Sequence, residues 1–259
     1  MSRILEVRNV HKFYDKGKKT ATHAVKGVSF SLDEGEILGL IGESGCGKST
    51  LAKLLLQLER ADSGELLLDG EDLAKRLRRN RLAFYRDIQM VFQNPFEVFD
   101  SRYRIGEVLM RPLQLHRLAK SKSEAKQRVL DILNEAGLRP AEDFARRFPH
   151  ELSGGQLQRI AILRAMLLEP RVLIADEPVT MLDVSVRADI LNLLLDLRDK
   201  HKMAILFISH DLATTAYLAD RLMVMKEGII VEEGPTEKLL YKPQNAYTEA
   251  LLANCGKIW

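Results

Sequence analysis

The chain has 259 residues, 46% of them hydrophobic and 29% charged, with a formal net charge of +3. That is ample for a packed core in one large domain or two small ones, and so small a charge gives no support for a nucleic-acid partner, which needs a concentrated basic face. Two cysteines, Cys46 and Cys255, build neither a disulfide framework nor a metal spacing, which fits a reducing cytosol.

In chain order, the N-terminal MSRILEVRNV alternates charged and apolar residues and lacks the apolar core of a signal peptide. Strands are expected over Ile4–Val10, Ala24–Leu32 and Glu36–Ile41, with turns at Asp15–Gly17 and Asp33–Gly35. Glu65–Asp69 and Asp87–Phe92 are shorter candidates. Basic clusters at Lys16–Lys19 and Lys75–Arg81 read as solvated loops and helix faces. Residues 98–165 show helical periodicity (Val129, Ile132, Leu133, Ala136) and no convincing strand, as expected of a helical insert within an α/β core. Arg171–Asp176 and Met203–Ser209 are nearly continuous apolar runs, the pattern of strands buried on both faces of a parallel sheet. Between them Val186, Ile190, Leu193, Leu194 and Leu197 repeat at helical spacing. Arg221–Lys226 and Ile229–Glu233 form a hairpin around Glu227-Gly228, and Tyr241–Trp259 is a tail with room for one helix. No stretch approaches the ~20 apolar residues of a membrane span, so service to a membrane would pass through partners.

Chemistry enters at Gly42-Glu43-Ser44-Gly45-Cys46-Gly47-Lys48-Ser49-Thr50, a G-x-x-x-x-G-K-[ST] phosphate loop between an apolar strand and a helical run. Its glycines let backbone N–H groups turn inward on phosphate oxygens, and the following helix adds its positive end. Lys48 is expected on the β- and γ-phosphates, Ser49 on Mg2+ and Thr50 near the α-phosphate. The strand Val172–Ala175 ends in Asp176-Glu177, which delivers two carboxylates to the sheet edge where phosphates would sit. Asp176 is expected to hold the Mg2+ shell through water, and Glu177 to polarise an attacking water. Leu152-Ser153-Gly154-Gly155-Gln156 opens a second helix with a hydroxyl and two glycines, so Ser153, Gly154, Gly155 and Gln156 form another anion-ready turn. Ser209-His210-Asp211 is no hydrolase triad, because triad members converge from separate segments.

LSGGQ, the phosphate loop and LIADE, which resembles a Walker B motif, together resemble the ATP-binding cassette (ABC) family over about residues 4–252. The resemblance implies a P-loop α/β core with a mostly parallel sheet, an N-terminal antiparallel β subdomain and an inserted α-helical subdomain. It implies a cassette over 1–240, with the insert at about 98–165, and a tail over 241–259. It also implies a head-to-tail dimer in which Ser153 to Gln156 act on the ATP of a partner cassette. Gln93 matches the Q-loop glutamine, which senses Mg2+ and the γ-phosphate. His210 matches the switch histidine, and Asp183 the D-loop at the dimer interface. Tyr14 stands where an aromatic residue stacks on adenine, whereas Phe13, on the alternate face, is expected in the core. The implied catalytic set is Glu177, His210, Gln93 and Lys48, with ATP and Mg2+ as cofactors.

Within the family, GESGCGKST, IQMVFQNP, ELSGGQLQRIAI and LIADEPVTMLDVSVRADIL resemble ATPase subunits of peptide and nickel importers. The tail reads Asn245-Ala246-Tyr247 where His-Pro-Tyr is usual. Phe99-Asp100-Ser101-Arg102 and Thr180-Met181-Leu182-Asp183 also depart from the usual pattern, and Cys255 stands alone where some members bind an iron–sulfur cluster. The resemblance implies ATP hydrolysis that powers an importer from the cytoplasmic face of the membrane. The partners implied are a second cassette (a distinct paralogue, or this chain itself), two transmembrane permease subunits near Gln93 and, indirectly, an extracytoplasmic binding protein. Peptides lead as cargo, with nickel or a metal chelate next. The competing readings are the ATPase of an exporter and a non-transport ABC protein.

Overall fold

The computed structural model describes residues 2–15 and 20–254, so the basic run at 16–19 and Cys255 lie outside it. Strands β1 (Arg3–Tyr14) and β2 (Thr22–Asp33) pair antiparallel; β1 outruns the expected Val10 because Phe13 and Tyr14 still pair with His23 and Thr22. Strand β3 (Ile37–Ile41) leads through the phosphate loop into helix α1 (Lys48–Leu55). Strands β4 (Ser63–Leu68) and β5 (Glu71–Asp72) complete a four-stranded antiparallel sheet ordered β2-β1-β4-β5.

Two short helices follow, α2 (Leu73–Arg79) and α3 (Arg81–Asp87). Each starts on a side-chain cap: Asp72 accepts from Lys75 N–H at 2.8 Å, and Asn80 from Ala83 N–H at 3.0 Å. Strand β6 (Ile88–Val91) precedes four helices, α4 (Ile105–Leu115), α5 (Lys122–Glu135), α6 (Ala141–Arg146) and α7 (Gly154–Met166), and among the described residues no strand lies between β6 and β7. These helices bury their own cluster, including Ile105, Leu109, Leu133, Phe144 and Leu157.

Strand β7 (Val172–Asp176), helix α8 (Val184–His201), strand β8 (Ala204–Ser209), helix α9 (Leu212–Leu218) and strands β9 (Arg221–Lys226) and β10 (Ile229–Pro235) return to the main sheet. Its order is β10-β9-β3-β8-β7-β6, parallel except for β10. Helices α10 (Thr236–Tyr241) and α11 (Ala246–Asn254) end the described chain.

Alternate strand residues face opposite layers, as the two-residue period of a strand requires. Leu38, Leu40, Ile174, Leu206 and Met223 join the antiparallel sheet and α1 in one core. Ile37, Leu173, Ile205, Phe207 and Val224 join Ile190, Leu194, Leu218 and Leu239 in the other. Burial on both faces explains the unbroken apolar runs in the sequence. The sheet's carboxyl edge is thereby fixed, and the residues that follow β3, β7 and β8 meet there.

Candidate nucleotide site

A cleft of about 780 Å3 opens at that edge, lined by Gly42–Thr50, Gln93, Glu177, Thr180 and His210. Gly47 has φ +115°, and a Cβ there would lie 2.4 Å from the Ala24 carbonyl oxygen, so only glycine fits the turn into α1. Lys48 is buried at 6% exposure. Its ammonium donates to the carbonyl oxygens of Gly42 at 2.7 Å and Glu43 at 3.0 Å, which satisfies the charge within the loop.

The paired acids take different positions. Glu177 has φ +49° and donates its N–H to Ile208 O at 2.8 Å, carrying the β7–β8 pairing one residue past the strand. Its Oε2 accepts from Thr180 Oγ1 at 2.7 Å and lies 2.8 Å from His210 Nδ1. His210 is placed by the next residue, because the Asp211 carboxylate caps α9 through Thr214 N–H at 3.3 Å. Asp176 is deeper. Burial pushes its carboxyl above the usual range, with Ser49 and Lys48 pulling the other way, and its Oδ1 is buried without a hydrogen-bond partner. The Ser49 hydroxyl and the Asp176 carboxylate, one of whose oxygens is buried and unsatisfied, are hard oxygen donors of the kind Mg2+ takes.

Other expected residues fall outside the cleft. Ser153 caps α7 by accepting from Gln156 N–H at 3.3 Å, while Ser153 N–H donates to the Gln156 side chain at 3.1 Å. None of Ser153 to Gln156 lines the cleft. Gly155 is buried, and a Cβ on it would lie 2.3 Å from Val186 Cγ1, so it lets α7 approach α8. Asp183 is exposed at the start of α8. From that helix Arg187 reaches Leu182 O at 3.4 Å and Asp211 at 3.2 Å, tying the turn at Asp183 to the residue after His210.

Gln93 lines the cleft just beyond β6. Behind it Gln158 of α7, 1% exposed, donates to Phe92 O at 3.3 Å, and its Oε1 has no hydrogen-bond partner. Tyr14, expected on the adenine, is not among the residues that line the cleft; its ring lies 5.1 Å from Lys12 Nζ. The ring that lines the cleft is His23, and Phe13, half-buried rather than in the core, stacks on it at 3.8 Å. Phe13 pairs directly with His23, and Tyr14 with Thr22, which also lines the cleft. Burial, then His11 and Lys26, push the His23 imidazole pKa down. Thr180, Arg187 and Gln158 lie in stretches that carry motifs and His23 in none, but the contacts of all four are made across the fold and no spacing in the sequence marks them.

A phosphate loop at a parallel-sheet edge, with an acid pair and a histidine opposite it, defines a nucleoside-triphosphatase of the cassette type. The sequence matches the ABC transporter family over residues 25–180, and the chain belongs to that family. It is 40% identical over 251 residues to the oligopeptide transport ATP-binding protein OppF of Streptococcus mutans, covering 97% of this chain and 81% of that one. It is 43% identical over 255 residues to the dipeptide transport ATP-binding protein DppF of Haemophilus influenzae, covering 96% and 77%. Among solved structures, cbiO1 of Clostridium perfringens, part of the transporter complex cbiONQ, superposes with a TM-score of 0.81 at 27% identity over 93% of this chain and 92% of that one. A dimeric post-hydrolysis state of the cassette MJ0796 bound to ADP and Pi gives 0.79 at 30% identity over 90% and 99%. The protein is thus an ABC-type ATPase. No helix among the described residues is long and apolar enough to cross a membrane.

Proposed function

We propose that the chain is the ATP-hydrolysing subunit of a peptide importer, bound peripherally to the cytoplasmic side of the membrane. It would work as one half of a head-to-tail cassette dimer with two permease subunits. The observation that carries the dimer is the separation of two anion-ready turns: the phosphate loop lies in the cleft and Ser153–Gln156 lies outside it. The second turn is then free to close on the nucleotide of another cassette, with Asp183 at the contact. Relatives that are peptide transport ATP-binding proteins over nearly the whole chain support the cargo class. The partner cassette is taken as a similar but distinct chain, and an extracytoplasmic binding protein would select the cargo. The cassette is taken as residues 1–240, with the insert at about 98–165 and the tail from 241.

In the cleft, Gly42, Ser44, Gly45, Cys46, Gly47 and Thr50 wrap the phosphates, and Lys48, with one ammonium donor beyond its two carbonyl bonds, reaches the β- and γ-phosphates. Ser49, Gln93 and Asp176 would hold Mg2+, which when bound neutralises phosphate charge. Glu177 accepts the proton of the attacking water, and His210, 2.8 Å from it, fixes the orientation of its carboxylate beside the γ-phosphate. Glu177→Gln keeps the shape and the Thr180 contact but removes the base. It is expected to bind ATP as the wild type does and to lose about 10²–10⁴-fold in steady-state hydrolysis. Turnover close to wild type would overturn the assignment.

A further inference from the structure

The tail of the chain reaches the nucleotide site. Tyr247, on the first turn of α11, accepts a hydrogen bond from Glu43 N–H through its phenol oxygen at 3.3 Å. The Glu43 carboxylate sits beside the same phenol. Lys226 Nζ lies 4.7 Å from the ring centroid, and one turn further along the helix Leu251 lines the cleft. The helix is itself well anchored. Tyr247, Leu251 and Leu252 pack on the core that holds Ile41 and Val224. The Glu232 carboxylate accepts from Gln244 N–H at 2.8 Å and Asn245 N–H at 3.2 Å, and Asn245 Oδ1 accepts from Tyr247 N–H at 2.9 Å. Burial and the negative charge of Glu43 hold the phenol pKa up, so it keeps its proton.

Glu43 is the hub of the loop's first turn. Its carbonyl accepts from Lys48 Nζ at 3.0 Å and from Cys46 N–H at 3.3 Å. Glu43 is also held from outside the loop, by Tyr247. The two hydrogen bonds of Lys48 to carbonyls leave its ammonium one donor for a phosphate, so the loop has to be held in this shape both before and after a nucleotide arrives. We propose that Tyr247 is a positioning residue for the phosphate loop, holding Glu43 and so keeping the turn in its binding shape, and that α11 is a working wall of the nucleotide site. The proposal rests on the reading that this cleft takes ATP.

Tyr247→Phe tests it, because phenylalanine keeps the ring, its packing and the Lys226 contact and removes only the oxygen. In the full chain, the dissociation constant for ATP, measured by calorimetry, is expected to rise about threefold to tenfold, the worth of one hydrogen bond. In the assembled complex the KM for ATP should rise to match, with kcat within about twofold of wild type. The thermal midpoint without nucleotide should fall by no more than about 2–4 °C, the worth of that bond in the free chain, while the rise produced by ATP shrinks. Tyr241→Phe, at an exposed site on α10, should leave every one of these quantities unchanged. An unaltered ATP affinity in Tyr247→Phe overturns the proposal. So does an ATP-induced rise in midpoint as large as the wild type's, which would make the contact merely structural. Failure of the wild-type chain to bind ATP would instead overturn the reading of the cleft.

Discussion

Gly154 and Gly155 look equivalent in the sequence, two glycines in one anion-ready turn, and the structure separates them. Gly155 faces Val186, whose branched side chain is stiff at χ1 and has no easy retreat. Gly154 has only Leu182 Cδ2 nearby, 3.9 Å from where a Cβ would stand. Gly155→Ala is therefore expected to cost about 1–3 kcal/mol of unfolding free energy by overpacking. Gly154→Ala should be neutral or gain up to about 1 kcal/mol from helix propensity. Urea denaturation of the two variants checks the contrast, and equal effects would refute it. The loop, the acid pair, Gln93 and His210 are legible at this scale because each is a fixed spacing around a strand end. The surroundings of Tyr14 and Phe13 are not, because the partners of two adjacent strand residues depend on the register with the neighbouring strand, and that register is shifted by irregularities in β1.

At the scale of elements, Asp69 joins three of them. It follows β4, bonds Arg171 at the entrance of β7 with both carboxylate oxygens, and bonds Arg76 of α2 at 3.2 Å. The hydrogen bond to Arg171 chiefly holds its carboxyl below the ordinary value of 3.8. A carboxylate with a depressed folded pKa adds stability above its unfolded pKa, and the contribution is lost as pH falls through the folded value. Asp69→Asn, which tolerates the local φ of +51°, should thus be less stable than wild type at pH 7. The gap should close only as pH falls below about 4. Denaturation of both proteins across that range checks it, and a gap independent of pH would count against the ion pair. The long elements are legible because burial on both faces, or on one stripe, writes itself into the sequence. Helices α2 and α3 are not, since seven residues are too few to display a period. Only their caps, Asp72 and Asn80, signal them.

For the whole molecule, the proposed dimer would complete the cleft with Ser153–Gln156 of a partner cassette. The isolated chain should hydrolyse ATP with a specific activity that climbs with protein concentration, or on addition of its partner cassette. Concentration-independent turnover by a proven monomer, checked by light scattering, would rule the composite site out. The amide of Gln158 adds a mechanical consequence. It clasps Phe92 from the interior of α7, so the helix that begins at Gly154 and the strand end that presents Gln93 are latched together. Re-hydration cannot compensate a broken bond at a side chain only 1% exposed. Any swing of the helical lobe that keeps this bond would therefore carry Gln93 along as freight, its pivot lying beyond Phe92 in the sheet, with the floor made by β3, β7 and β8 left in place.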